Sequence, residues 1–485
     1  MTLDTHRIPA LELPYELISH IFIYCLPLRR RVRPHWNRAP LNLASICSQW
    51  RAVAIATPEL WTSIYLVFDG RDAYDGIPLL FSLPDAEPLD DHTAALMDLW
   101  FSRTAGHPLS ISLICSPHHS LPVDVVATIA GRYTQWGRVE LAMPMADFLV
   151  FNEVAGPFPC LTSLSLQITD RFRPFSDIHI NAVHHSPHLN ALQLMDPQWA
   201  PTWLDDSAAI PRTLTVLSLV SSVPSVAYFS SVLDQNPHLL HLSIECLGPV
   251  PVFDGPRLTA PTKSLMVSDV HLLHFFTMPD LQYLHVSPLD AGLLVDFLSH
   301  SQCQLTTLSL HVWKYQSIET FTHCLSALPT LNTLVLVFPD PGCSSTARYQ
   351  ALQRSELVPG LRVLIVTDMA QTPVYEPVVA LLQVRPTLVH FELHMWPWNP
   401  FMRRSVPSPS PHIEAQLAAL AHGGMIIRVM TQTYALPWNA KDEDPVGDLG
   451  KTSLHLLNSI LSSLCLSDCD VFTSHLIQPY SFSPF

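Results

Sequence analysis

Histidine and cysteine are common ligands of transition-metal ions in proteins, and this sequence is rich in histidine. The chain has 25 His and 10 Cys among 485 residues. His118 and His119 are adjacent, as are His184 and His185, while the tightest cysteine spacing is CLSDC at residues 465–469. A structural zinc site needs about four ligands at characteristic spacings, and no second pair stands at such a spacing from any of these. The pattern predicts surface histidines, free thiols and no metal or other cofactor.

The motifs of common catalytic and nucleotide-binding sites are also absent from the sequence. It contains no GxSxG, HExxH, GxGxxG or GxxxxGK[ST] pattern and no EF-hand loop. The net charge is −15, which argues against nucleic-acid binding because proteins that coat phosphates usually carry a basic surface. The sequence therefore predicts a protein that is not an enzyme. Catalysis by some arrangement of its His and Ser residues is an alternative without support from a motif.

The location predicted from the sequence is intracellular, either cytoplasmic or nuclear. No run of 18 apolar residues occurs, and the N-terminus lacks the apolar segment of a secretory signal. The cysteines show no CxxC pair, and a reducing compartment is the default for such a chain. We therefore expect no membrane partner.

Two amphipathic helices are predicted at the N-terminus. The first lies within residues 11–26, where Pro14 suits the first turn and apolar side chains recur at helical spacing. After an arginine-rich loop at 27–40, the second is predicted within 39–58 and ends at Pro58. A unit of about 45 residues cannot bury its own apolar faces. These helices must therefore dock on the rest of the chain or on another protein.

A repeated L-x-x-L-x-L pattern, with Ile, Val, Phe or Thr substitutes, determines the expected fold. It occurs ten times at a mean spacing of about 25 residues, which is typical of leucine-rich repeats. In seven repeats a proline stands two residues before the first Leu, where we expect it to end the preceding helix or turn and begin an extended segment. The ten copies begin at residues 161, 189, 214, 239, 262, 281, 305, 331, 361 and 388.

The predicted fold class is α/β: a small N-terminal helical domain followed by an irregular leucine-rich-repeat solenoid. Parallel strands would line its concave face and helices its convex face, because the spacers between repeats have helical apolar patterns. The expected domains are 1–61 (helical), 62–160 (irregular opening repeats with an acidic loop), 161–431 (solenoid and cap) and 432–485 (a largely disordered tail).

The opening block resembles an F-box. The matching residues include Leu13-Pro14, Ile21-Phe22 and the tract APLNLASICSQWRAVAIATPELW, which is similar to F-box proteins of mushroom-forming fungi with degenerate leucine-rich repeats. The resemblance implies a substrate-recognition subunit of a cullin-type (SCF) ubiquitin ligase, in which the F-box binds a Skp-type adaptor, and through it a cullin, while the repeats bind a target protein. The adaptor-binding residues expected on this basis are Leu13, Pro14, Leu17, Ile21, Phe22 and Leu43. One alternative is that these residues only pack on the first repeats. A second alternative is that the chain is a protein-interaction scaffold without a ligase role.

A target protein is expected on the concave face, where strand alternation places the residues between the core leucines. This face is polar, nearly uncharged and weakly His-rich, with Val335 and Ile365 as apolar patches. Two nearby tryptophans either plug the end of the solenoid or contact the partner. The candidate target-binding residues are His241, Tyr283, His285, His311, His390, Glu392, His394, Trp396 and Trp398.

Overall fold

A computed structural model gives the structure of the chain. It describes residues 13–27, 32–68, 93–116, 119–154, 156–169, 180–195, 211–221, 226–246, 250, 257–287, 289–313, 315–338, 345–368, 375–395, 408–431 and 435–438. Trp396, Trp398, the whole acidic loop (69–90) and most of the predicted tail lie outside these residues. The chain divides into two compact units between Leu214 and Thr215.

Unit 1 begins with three helices, followed by strands that alternate with further helices. Its five described strands pair in parallel and in chain order. Its elements are α1 (Tyr15–Tyr24), α2 (Leu41–Ile46), α3 (Ser48–Ile55), β1 (Ser63–Phe68), α4 (Thr93–Ser102), β2 (Leu109–Cys115), α5 (Val123–Ala130), β3 (Trp136–Met143), α6 (Met145–Asn152), β4 (Ser163–Ile168), α7 (Asn181–His184) and β5 (Ala191–Met195).

Unit 2 continues the same alternation. Its elements are β6 (Val216–Ser221), α8 (Val226–Gln235), β7 (His241–Cys246), β8 (Leu258–Thr259), β9 (Ser264–Val267), β10 (Phe276–Thr277), β11 (Tyr283–Val286), α9 (Ala291–Ser301), β12 (Thr307–His311), α10 (Ile318–Ser326), β13 (Thr333–Phe338), α11 (Thr346–Leu352), β14 (Val363–Asp368), α12 (Tyr375–Val384), β15 (His390–Met395), α13 (Pro411–His422), β16 (Ile426–Thr431) and β17 (Ala435–Trp438).

The strands of unit 2 form a sheet that is parallel except at its last strand. The parallel order is β6, β7, β9, β11, β12, β13, β14, β15 and β16, and β17 then pairs antiparallel with β16. The short strands β8 and β10 form a separate parallel pair. All ten copies of the leucine pattern lie at strands, and the weaker opening repeats form β1 to β3. The predicted α/β leucine-rich-repeat solenoid, preceded by N-terminal helices, is thus confirmed.

The leucine pattern forms this sheet because its register stacks equivalent side chains in rows. Leu308, Leu334 and Leu364 stand opposite one another in β12, β13 and β14, and each is 0% exposed. The following row contains Leu310, Leu336 and Val366, also fully buried. One repeat could not cover such a row, so each repeat depends on its neighbours for burial.

Contrary to the expectation from the sequence, the recurring prolines lie inside β-turns and do not begin the extended segments. Pro159, for example, is the second residue of a turn that the Leu161 N–H closes on the Phe158 carbonyl at 3.3 Å. The same bond, three residues back from the first Leu, closes the other six Pro-containing turns at 3.0–3.4 Å. The fixed φ of proline suits this position of a β-turn. Proline therefore shapes the turn, and the strand begins after it.

Three other predictions need correction. The second N-terminal helix is two helices, because Cys47 is extended and caps α3 by accepting the Trp50 N–H on its Sγ at 3.4 Å. The spacer between β9 and β11 has a 3-10 helix (Val270–Phe275) instead of an α-helix. Finally, β17 lies inside the segment predicted as a tail.

Candidate functional site

The first candidate surface is the outer side of α1, which we call the α1 stripe: Leu17, Ile21 and Tyr24. Spacings of four and three residues put these side chains on one side of the helix. They are 52%, 46% and 86% exposed. Leu13 and Pro14, which precede the helix, are exposed as well. Of these, Tyr24 was missed by the sequence analysis, although its spacing from Ile21 could have identified it.

The inner side of α1 packs against the other N-terminal helices. Ile18 and Phe22 are 2% and 0% exposed, and the Phe22 ring meets Trp50 edge-on at 5.0 Å. Leu43 of α2 is buried too. The structure therefore places Phe22 and Leu43, both expected at an adaptor interface, beneath the exposed stripe rather than on it. They can support that surface, but they are not open to a partner.

The second candidate surface is the side of the unit 2 sheet that carries the residues alternating with the core leucines, which we call the unit 2 sheet face. One row of this face runs across β11 to β14 and consists of His285, Ser309, Val335 and Ile365. His241 and Tyr283 lie in a neighbouring row, and both flank Ser264 in register. The structure therefore brings the predicted target-binding residues of the described strands onto one surface.

At the centre of this face, the imidazoles of His285 and His311 pack against each other. The His285 Nδ1 lies 2.8 Å from the Ser309 Oγ, and the His285 and His311 rings meet edge-on at 5.1 Å. Tyr283, His285 and His311 are all buried. Burial lowers the pKa of His285 to about 4 and holds the pKa of His311 well below its usual value. Both rings are therefore neutral at pH 7.

Near the C-terminal end of the same face, one carboxylate accepts three side-chain bonds. The Glu392 Oε1 accepts from His390 at 2.8 Å and from Arg428 at 3.0 Å, and its Oε2 lies 3.2 Å from His394. Burial would raise the pKa of Glu392, but hydrogen bonds from both histidines outweigh it and hold the pKa well below its usual range. His390, Glu392 and His394 were among the residues expected from the sequence, whereas Arg428 was not, although it alternates with the buried Ile427 and Val429 of β16.

The expected target-binding residues are less open than a concave surface suggested. His285, His311, His390 and Glu392 are 6–8% exposed, because neighbouring strands lie only about 4.8 Å apart and side chains of one row shield each other. His394 and Arg428 keep more exposure, with side chains 23% and 41% exposed. Among the described residues, no group of three His, Cys, Asp or Glu side chains is arranged to hold a metal ion. None of the described helices is long and apolar enough to cross a bilayer.

Comparison with known proteins gives only distant structural similarity. No family model and no curated protein matches the chain. A solved structure of the leucine-rich-repeat-containing protein LegL7 from Legionella pneumophila is similar over 60% of this chain and 94% of its own, with 16% identity and a TM-score of 0.36. A Bacteroides fragilis protein is similar over 58% of this chain and 69% of its own, with 14% identity and a TM-score of 0.31. The fold assignment therefore rests on the strand register and buried leucine rows described above.

Proposed function

We propose that this protein is a non-catalytic protein-interaction scaffold whose repeats bind a target protein and whose N-terminal helices bind a Skp-type adaptor. In this role it would be a substrate-recognition subunit of a cullin-type ubiquitin ligase, as its resemblance to fungal F-box proteins implies. The observation that carries the proposal is the division of α1 into a buried side and an exposed apolar stripe.

The α1 stripe is unusual because three large apolar side chains face solvent while the same helix already has a packed inner side. Soluble proteins rarely leave large clustered apolar surfaces open, and such surfaces often mark interfaces. Aromatic and large aliphatic residues at the centre of an interface supply most of its binding energy. Leu17, Ile21 and Tyr24 have this composition, and Leu13 extends it toward the N-terminus.

A second candidate role, an N-terminal cap for the repeats, has its own support. The Tyr65 N–H of the first strand donates to the Val32 carbonyl at 2.9 Å, and the guanidinium of Arg33 lies 5.1 Å from the Tyr65 ring centre. The segment after α1 therefore covers part of the β1 edge, as a cap should. Capping uses this segment, whereas docking would use the outer side of α1, so the two roles are compatible.

The experiment that tests adaptor binding is co-purification of the full chain with a Skp-type adaptor. We expect the double variant Leu17→Asp plus Ile21→Asp to lose binding, because two charges would be buried unpaired in the interface. The matched control is Leu99→Asp on α4, since Leu99 is 47% exposed, like Ile21 at 46%. Retained binding by the double variant, or equal loss in the Leu99 control, would reject the α1 stripe. A folded wild-type chain that never binds an adaptor would favour the cap role alone.

A further inference from the structure

We propose that the unit 2 sheet face, between β7 and β14, recognises an extended and uncharged segment of the target protein. In this arrangement hydrogen-bonding side chains of the segment meet His241 and His311, and an apolar side chain packs on Val335 and Ile365. The inference rests on the proposed role of the repeats in target binding, and it adds the chemical class of the target.

The unit 2 sheet face carries almost no charge between β6 and β14. Among the described residues of β6 to β14 that alternate with the core positions, Glu245 is the one ionisable carboxylate, and none is Lys or Arg. Burial raises the pKa of Glu245, which disfavours its charged form. Lys263, just before β9, is exposed. A charged target residue would therefore lose its hydration here without gaining a buried partner, which is costly.

Two hydrogen-bonding atoms of this face remain without a partner within the described part of the chain. The Nδ1 atoms of His241 and His311 are buried and have no hydrogen-bond partner there. Burial lowers the pKa of both rings, so each stays neutral and can donate or accept. Rotation of an imidazole about its Cβ–Cγ bond exchanges Nδ1 with a ring carbon. In the proposed complex, this rotation would bring each Nδ1 to a hydroxyl or amide group of the bound segment.

The polar and apolar parts of this face lie a fixed distance apart. Ser309 stands beside Val335 and His311 beside Val337 in register, and Ile365 follows Val335 on the next strand. Strands β12 and β14 are thus about 10 Å apart, at about 4.8 Å per strand. An extended chain covers that distance in about three residues. The face therefore fits a Ser, Thr, Asn or Gln about three residues from an apolar residue.

The experiment is selection of random twelve-residue peptides displayed on phage against the immobilised full chain. We expect the selected peptides to lack charged residues and to contain that polar–apolar pair. A synthetic peptide made from the selected sequence should bind with nearly the same affinity at 0.15 and 1 M NaCl. Its affinity should fall about tenfold in His311→Leu, corresponding to the loss of one or two hydrogen bonds, and similarly in Ile365→Asn.

Controls separate loss of recognition from misfolding. His241→Leu is a second test in case the buried His311 variant does not fold, since His241 is partly exposed. His323→Leu makes the same replacement at an exposed position on α10 and should not change the affinity. Selection of acidic or basic peptides with steep salt dependence, binding that ignores all three face variants, or no enrichment at all would overturn the inference. Adaptor binding through the α1 stripe would be unaffected by any of these outcomes, so the two proposals fail separately.

Discussion

Arg385 offers a demanding test of how the repeats of unit 2 are held together. Its side chain is 2% exposed and donates to four backbone carbonyls, one at the last residue of α11 and three in the segment that joins α11 to β14. These carbonyls belong to Leu352, Arg354, Leu357 and Val358, with the Nε to Leu352 bond at 2.8 Å. Val358 has a φ of +55°, a strained conformation for a β-branched residue. Replacement of Arg385 by Met would keep most of the volume and remove every donor.

The loss of stability in Arg385→Met depends on how many of these four carbonyls also accept a hydrogen bond from another donor. The Arg354 and Val358 carbonyls also accept backbone N–H groups, from Leu357 at 3.1 Å and Leu361 at 3.2 Å. The cost therefore falls mainly on the other two carbonyls. At about 1–3 kcal/mol for each buried polar group that loses its partner, we expect Arg385→Met to lower the free energy of unfolding by about 4 kcal/mol.

The measurement is urea unfolding followed by circular dichroism, with Arg354→Met as the matched control. Arg354 lies in the same segment but is exposed, so its replacement should change stability by less than about 0.5 kcal/mol. Arg385→Lys should fall between the two because it keeps the charge but not the guanidinium fork. If Arg385→Met were as stable as Arg354→Met, the idea that this side chain holds the turn before β14 would be wrong.

Two further predictions concern the two candidate surfaces. Phe22→Ala should destabilise unit 1 by about 3–5 kcal/mol, because Phe22 is 0% exposed. Tyr24→Ala should cost less than about 0.5 kcal/mol in thermal unfolding of the free chain. Equal costs for the two variants would contradict the description of α1 as a helix with one buried and one exposed side. Burial lowers the pKa of His285 to about 4. As the pH falls, this imidazole therefore takes up a proton in the unfolded chain before it does so in the folded chain, which favours unfolding. The free energy of unfolding of unit 2 should fall by up to about 3 kcal/mol as the pH drops from about 6.5 to about 4. Urea titrations at several pH values should show that the free energy of unfolding depends less on pH in His285→Gln than in the wild-type chain. The exposed control His323→Gln should keep the wild-type pH dependence. Equal pH dependence in the two variants would show that His285 is not the group responsible.

Sequence periodicity was sufficient to place the strands of the ten leucine repeats. The pattern at residues 331–336 predicted a strand with Leu334 and Leu336 facing inward, and both are fully buried in β13. Such patterns are local, and alternation along a strand fixes which side chains point to the core. Helical spacing likewise predicted the helix α1 itself.

Other features depended on contacts that no local pattern contains. Nothing in the sequence marks Cys47 as the break between α2 and α3, or the 3-10 helix at Val270–Phe275 as the substitute for an α-helix. The amphipathic spacing of residues 17–26 also could not decide which apolar side chains would be buried. Packing of α1 against Trp50 turned Phe22 inward and left Ile21 exposed.

The sequence by itself determined a stack of parallel strands, because one leucine pattern repeated at about 25 residues admits little else. Only the tertiary structure decided the chemistry of the sheet face. Glu392 meets Arg428, and His285 meets Ser309, across distances of 36 and 24 residues in the chain. The physical reason is that the environment of a side chain between two strands comes from neighbours one repeat away. The register of the neighbouring strands therefore decides whether a side chain is paired, neutral or open to a partner, and the position of the residue in the sequence does not.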